Sequence, residues 1–208
     1  MYRRYIKRIL DFVFALFALP FILIVCVIFG PIIWLEDRGT VFYRAKRRGM
    51  KGKFFFMYKL RSMKMNAPDI RNKNNSTFNS ASDPRVTKIG KLIRKTSIDE
   101  LPQVFNVLKG DMSFIGPRAT IPVEGMSYDD LNEVQKKRLG VRPGITGYGQ
   151  ALYRNSIGKE KKQELDCYYV DHVSFILDLK IIFWTAKTVL LRKNIYTNAD
   201  ERVTVGKE

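Results

Sequence analysis

Between Phe12 and Leu35 the chain carries no charged residue, and most positions are Phe, Leu, Ile, Val or Ala. These 24 residues exceed the roughly 20 that a helix needs to cross a bilayer. The run is too long for the apolar core of a signal peptide, and no small-residue cleavage site precedes the charged stretch that follows. It reads as a retained membrane segment. Arg3, Arg4, Lys7 and Arg8 stand before it; Arg38, Arg44, Lys46, Arg47, Arg48, Lys51 and Lys53 stand after it. Lys/Arg-rich flanks stay on the cytoplasmic side, so a straight span would have to export one of these clusters. Pro20, near the middle of the run, removes a helical hydrogen bond and favours a kink. A bent helix that enters and leaves by the same leaflet satisfies both flanks; a single span with a tolerated proline is the alternative. Asp11, at the boundary, reads as a local cap or ion-pair partner.

The whole chain is basic, with 37 Lys+Arg against 20 Asp+Glu and a formal net charge of +17. Its 208 residues allow one domain with an appended segment, and 46% hydrophobic residues exclude a wholly disordered chain. Cys26 and Cys167 are far apart and differ in context, which excludes a disulfide-stapled scaffold; both read as packing residues. His172 is the single histidine and is assigned no role, so neither a His-rich metal site nor a Ser-His-Asp triad is available. The chemistry must rest on carboxylates, lysines and arginines, with phosphates, nucleic acid or an anionic membrane face as partners.

A second apolar element runs from Ser174 to Leu191. At helical pitch Phe175, Ile176, Leu179, Ile182, Phe183, Ala186, Val189 and Leu190 share a face, with Asp178, Thr185, Thr188 and Arg192 opposite. An interfacial helix and a core helix both fit this pattern. Trp34 and Trp184 sit at ends or edges of apolar elements, as interfacial anchors and packing residues both do.

In the middle of the chain, Thr40–Tyr43 and Phe54–Leu60 predict a hairpin around Gly49 and Gly52. Met65–Ser82, rich in Asn and Ser, predicts a surface loop; its Asn75-Ser76-Thr77 matches a glycosylation acceptor by chance. Ile89–Lys95 predicts a short basic helix. Ser97 and Glu100 have capping-box spacing before Leu101, Val104, Phe105 and Leu108, and Gly110 is a helix stop.

Asp99 and Glu100 are favourable at a helix N-terminus on structural grounds alone. Their surroundings point further. Arg94 and Lys95 lie just upstream, and Lys59, Arg61, Arg118 and Arg142 occupy short stretches punctuated by Gly and Pro. Carboxylates among phosphate-binding cations suit Mg²⁺-assisted phosphoryl transfer, in which cations neutralise phosphate oxygens while a carboxylate serves as nucleophile or base. The loops Gly110–Arg118 and Arg142–Gln150 suit close backbone approach to a ligand, although as turns they need none. No Walker loop or Gly-x-Gly-x-x-Gly is present.

These stretches resemble the bacterial sugar transferases, the small monotopic phosphoglycosyl transferases. The resemblance covers nearly the whole chain: the proline-containing N-terminal segment, Tyr58-Lys59-Leu60-Arg61-Ser62-Met63, Asp83-Pro84-Arg85-Val86-Thr87, Ser97 to Gln103, Asn106 to Ser113, Gly116-Pro117-Arg118, and Val141 to Gly147. It implies transfer of a sugar-1-phosphate from a UDP-sugar to a polyprenyl phosphate, usually undecaprenyl phosphate, with release of UMP and a requirement for Mg²⁺. The family dyad maps onto Asp99, as nucleophile and metal ligand, and Glu100, as proton acceptor for the lipid phosphate. The family's phosphate-binding residues map onto Lys59, Arg94 and Arg118, and Arg142 joins them as a substrate-binding candidate from its loop. The resemblance also implies a re-entrant helix that seats the site at the cytoplasmic face of the bacterial inner membrane.

The expected architecture is mixed α/β and mostly helical: residues 1–38 form a re-entrant membrane helix with its basic flank, and 39–208 a small membrane-associated catalytic domain with amphipathic interfacial helices. The sequence departs from the family pattern at Ala119, where proline is usual, and at Tyr148-Gly149-Gln150, where Trp-Ala-Gln is commoner; both put the identity of the sugar in doubt. A UDP-sugar hydrolase and a basic membrane-anchored binding protein are the competing readings, and no nucleic-acid motif supports a nucleic-acid partner. The residues leave the sugar, the pathway and the choice between monomer and homodimer open.

Overall fold

The computed structural model describes residues 1–72, 78–80, 82–154 and 156–191, together with the backbone of a strand at 202–204. The apolar run lies in one long helix, α1 (Lys7–Asp37), which continues through Pro20 and Pro31 and follows a single wide turn at Tyr2–Ile6. At 31 residues it measures roughly 46 Å. Asp11, Ala15, Ile22, Val25, Gly30 and Ile33 form one buried stripe along it. Phe14, Phe17, Phe21, Ile24, Val27 and Ile28 lie exposed on the other side. By length and composition this helix suits a membrane crossing.

Both ends of α1 dock onto the same body. Near the start, Tyr2 Oη and Lys7 Nζ donate to Asp178 Oδ2 at 2.6 and 2.8 Å. Arg8 caps α3 (Val104–Lys109) by donating to the carbonyls of Val107 and Leu108, and the Phe114 amide donates to Asp11. At the far end Arg61 grips Asp37 with both guanidinium nitrogens. Glu36 accepts from the Lys88 and Ile89 amides at the start of α2 (Lys88–Thr96).

The predicted hairpin forms with its first strand displaced: β1 (Phe42–Arg48) pairs antiparallel with β2 (Phe54–Leu60), Phe42 opposite Leu60 and Arg48 opposite Phe54. Thr40 and Val41 precede it because pairing with a seven-residue β2 draws the basic stretch into the ladder instead. The Asn/Ser-rich segment departs from a plain loop. Its β3 (Ile70–Asn72) pairs with β6 (Arg202–Thr204), and Phe78 is buried. Asn75-Ser76-Thr77 lies outside the described residues, as does Arg192. Asp83 and Arg85 form a buried ion pair at 2.8 Å beside Phe78.

β4 (Ser113–Ile115) and β5 (Gly144–Thr146) form a parallel pair. The contact explains the Gly-rich loops without a ligand: a Cβ on Gly116 would stand 2.3 Å from the Arg142 carbonyl oxygen, and one on Gly144 2.1 Å from the Gly116 amide nitrogen. Helices α4 (Glu133–Arg138), α5 (Tyr148–Tyr153), α6 (Lys159–Asp171) and α7 (Phe175–Leu190) complete the domain. α7 packs one side on the domain, where Ile181 is buried in a core cluster with Leu177 and Trp184 against it. On the same side it makes polar contacts, with Asp178 bonded to Tyr169 Oη and Thr185 to Thr146. Its apolar face (Ile176, Leu179, Ile182, Phe183) is exposed.

Candidate active site

α2 starts at Thr87, whose Oγ1 accepts from the Gly90 amide, and ends at Ser97, which adopts a left-handed φ of 61°. The expected capping box is not formed. An N-cap needs extended backbone to aim its hydroxyl at the next turn, and left-handed Ser97 turns its Oγ to accept from Arg154 Nη2 at 2.7 Å instead. The chain then tightens into a 3₁₀ turn, Ile98–Gln103, which holds Asp99 and Glu100 in its first turn. Gly110 ends α3 with φ 88°, as its position predicts.

The dyad faces β2. Asn106, fully buried, joins the two layers: its Oδ1 accepts from the Tyr58 amide and its Nδ2 donates to the Phe56 carbonyl. This sets Lys59 Nζ 2.6 Å from Glu100 Oε1, and Arg118 Nη2 reaches the same oxygen at 3.3 Å. Arg94, on the last turn of α2, acts electrostatically on both Asp83 and Asp99, and its Nη1 is buried without a hydrogen-bond partner among the described residues. Asp99 is only 8% exposed and takes part in no hydrogen bond or ion pair among the described residues.

Burial pushes the Asp99 carboxyl up to about 6, with Lys59 opposing the shift and the charge of Glu100 adding to it. Glu100 goes the other way. Burial works to raise its pKa, but the charges of Lys59 and Arg118 and their hydrogen bonds together pull it well below the usual carboxylate range. Two adjacent acids are thus driven apart, one held firmly ionised and one poised nearer neutrality.

Lys59, Arg94, Arg118, Asp99 and Glu100 therefore come together as expected from their motifs. Arg142 is positioned elsewhere: its Nε donates to the Gly110 carbonyl at 2.8 Å, and its charge is felt by Arg8 near the start of α1. The β4–β5 pairing turns it to that side. Ala119 packs against the main core cluster, and Tyr148 lies in an aromatic group with Tyr168 and Trp184. His172 stacks on Tyr168. Three supporting residues carry no local sequence signal: Arg154, and the buried Arg138–Asp166 pair at 2.6 Å, in which Arg138 also donates to the Arg118 carbonyl.

A buried carboxylate beside a firmly ionised partner and a ring of cations suits nucleophilic attack on phosphorus, because the cations oppose repulsion between two anions. Residues 2–192 match the sequence profile described as bacterial sugar transferase. The chain belongs to the bacterial sugar transferase family. The transferase is 43% identical over 191 residues to the sugar transferase EpsL of Bacillus subtilis, covering 91% of this chain and 90% of that protein. It is 38% identical to an undecaprenyl-phosphate galactose phosphotransferase of Salmonella typhimurium, and 37% identical to a UDP-glucose:undecaprenyl-phosphate glucose-1-phosphate transferase of Escherichia coli. Each of these matches covers 93% of the transferase but only 42% of the longer relative.

Proposed function

We propose that the transferase moves a sugar-1-phosphate from a UDP-sugar to undecaprenyl phosphate at the cytoplasmic face of the bacterial inner membrane, in two steps through Asp99. The observation that carries this reading is the pinning of Glu100 by Lys59 and Arg118, which leaves the Asp99 carboxylate without a hydrogen bond among the described residues. In the first step an Asp99 carboxylate oxygen attacks the sugar-linked phosphorus, the bridging P–O bond breaks, and UMP leaves with its electron pair. In the second, an oxygen of the lipid phosphate attacks the same phosphorus and the Asp99 carboxylate leaves. Splitting the transfer lets the soluble anion depart before the membrane-anchored one arrives.

Glu100 is a weak base while Lys59 and Arg118 hold it. As substrate phosphate draws those cations away, its pKa rises, and it takes the proton of a lipid phosphate that arrives as a monoanion. Arg94, with its unpartnered buried nitrogen, is available to donate to a phosphate oxygen.

The dyad also fits Mg²⁺. The described residues contain no group of three metal-ligating side chains, and Mg²⁺ commonly binds through one or two carboxylates plus substrate phosphates and water. Asp99 would hold the ion, which when bound neutralises charge on the diphosphate. Exposed apolar faces on α1 and α7 support a membrane-seated domain, and their starts adjoin through the Tyr2 and Phe175 rings at 6.0 Å. Docking of both ends of α1 on one domain supports the re-entrant reading over a straight span.

The test is UMP release by protein in nanodiscs, given Mg²⁺, undecaprenyl phosphate and a panel of UDP-sugars singly, with Asp99→Asn alongside. Release that needs lipid and Asp99 is expected with at least one donor. Sugar phosphate appearing in water rather than in the lipid extract would make the protein a hydrolase instead.

A further inference from the structure

We propose that Arg47 and Lys162 join Arg118 in a second anion subsite beside the dyad, and that this subsite receives the nucleotide-side phosphate of a nucleoside-diphosphate donor. The inference rests on the transfer reading above and adds residues that none of the recognisable motifs contains.

Three separate elements converge on Arg118. At the end of β1 the Arg48 amide donates to the Thr120 carbonyl at 3.0 Å, which brings Arg47 alongside the segment that follows Arg118. From α6, Asp166 accepts from Arg138 Nε and Nη2 at 2.9 and 2.6 Å. Arg138 Nη2 in turn donates to the Arg118 carbonyl at 3.4 Å. Lys162 lies one turn before Asp166 on the same helix. The charge of Arg118 is felt at both Arg47 and Lys162, each already partly desolvated, and burial followed by Arg118 lowers the pKa of each.

The nearby acids are already engaged. Glu100 takes Lys59 and Arg118, and Asp166 takes Arg138. Among the described residues neither Arg47 nor Lys162 has a carboxylate within 4.0 Å; the Arg47 guanidinium donates only to the Lys46 carbonyl. Glu100 and Asp166 balance these cations only in part, since the charge of Arg118 still opposes those of Arg47 and Lys162; an added anion relieves that repulsion, and arginine forks suit phosphate oxygens.

Arg118 is shared between this group and the Lys59–Glu100 pair, so the two anion positions are adjacent, as the two phosphates of a diphosphate are. The outward residues of α6 near Lys162 are Lys159, Glu160, Lys161 and Glu164, all exposed and charged. That solvated approach favours the soluble donor over the membrane-held acceptor.

The test uses the full chain in nanodiscs with inorganic pyrophosphate as the probe, so it reads binding whether or not transfer is detected. Arg47→Gln/Lys162→Gln is expected to weaken pyrophosphate binding in calorimetry by about tenfold or more, the loss of one charge-assisted hydrogen bond. It is also expected to raise the KM for the donor while leaving the KM for lipid phosphate within about twofold. Without ligand its Tm should match or exceed that of the unaltered chain, because like-charge repulsion is relieved, while the Tm rise on adding pyrophosphate is lost. Lys159→Gln/Lys161→Gln, on the same helix and with Lys161 paired to Glu164, removes the same two charges and is expected to keep binding intact. Unchanged pyrophosphate affinity in Arg47→Gln/Lys162→Gln, an equal loss in Lys159→Gln/Lys161→Gln, or a rise confined to the KM for lipid phosphate would each overturn the assignment.

Discussion

Lys59 Nζ and Glu100 Oε1 stand 2.6 Å apart, closing β2 onto the 3₁₀ turn that carries Asp99. The pair does two things at once. It keeps Glu100 ionised next to a buried carboxyl, and it fixes the height of the turn against the hairpin. Removing the cation should therefore disturb electrostatics more than packing.

Lys59→Met keeps the length of the side chain and removes its charge. Glu100 then loses the partner that most opposes its burial, and its pKa is expected to climb. Turnover should fall by on the order of 100-fold, the scale seen when one preorganised charge is removed from a site, with Tm little changed. Lys59→Arg should recover part of the loss. A Met variant with near-normal turnover would remove Lys59 from the site.

Asp99→Asn is expected to abolish transfer and to stabilise the fold at neutral pH. Burial raises the native carboxyl pKa to about 6, above an unfolded value near ~3.9. The native state therefore binds the proton more tightly, and ionising Asp99 costs stability. That cost is full above about 6 and vanishes below the unfolded value. The Asn variant should accordingly melt higher than the unaltered chain at pH 7.5 in chelator, with the gap shrinking as pH falls through 6 towards 4. A gap that widens on acidification would contradict the buried-carboxyl account.

Arg154 holds φ 51° and ψ −102°, a strained setting for a residue with a Cβ, while its guanidinium donates to Ser97 Oγ at 2.7 Å. Arg154→Gly relieves the strain and removes the grip on the residue that opens the turn carrying Asp99 and Glu100. Tm should hold or rise while kcat drops about tenfold or more, since small misplacements of a nucleophile are costly. Parallel falls in Tm and kcat would make Arg154 merely structural.

Much of this site is legible in one dimension. The apolar run, the helix stop at Gly110 and the basic helix before the dyad are local patterns, and the structure realises them at α1, α3 and α2. The misreadings come where a local pattern is overridden by something distant. Ser97 and Glu100 have capping-box spacing, yet left-handed backbone at Ser97 removes the geometry the box requires. The glycines of the loop that holds Arg142 answer to the close approach of β4 and β5, a tertiary need that local pattern does not announce. Asn106 and Arg154 act on partners 48 and 57 residues away, and no periodicity encodes such a bond.

Asn106→Leu keeps volume but strands the Tyr58 amide and the Phe56 carbonyl that its side chain serves. Each unsatisfied backbone group costs about 1–3 kcal/mol, so a loss of roughly 2–5 kcal/mol is expected in denaturant unfolding. The Lys59–Glu100 contact should loosen with it, lowering kcat beyond what reduced folded population explains. A stable variant with normal kcat would show that β2 is held by other means.

The course of α1 through the membrane gives the last expectation. A straight crossing of roughly 46 Å would put its two ends on opposite sides of the bilayer. Yet Tyr2 and Lys7 bond Asp178, while Asp37 bonds Arg61, and both partners belong to one folded domain. If both anchors hold in the membrane, the two ends of α1 are expected to lie on the same side of the bilayer. In a background with Cys26 and Cys167 replaced by Ala, single cysteines at Arg4 and Arg38 are expected to react together with an impermeant maleimide in inverted vesicles, and neither in intact cells. Labelling of one position from each side would mean that the helix crosses fully and that one set of anchors is broken in the membrane.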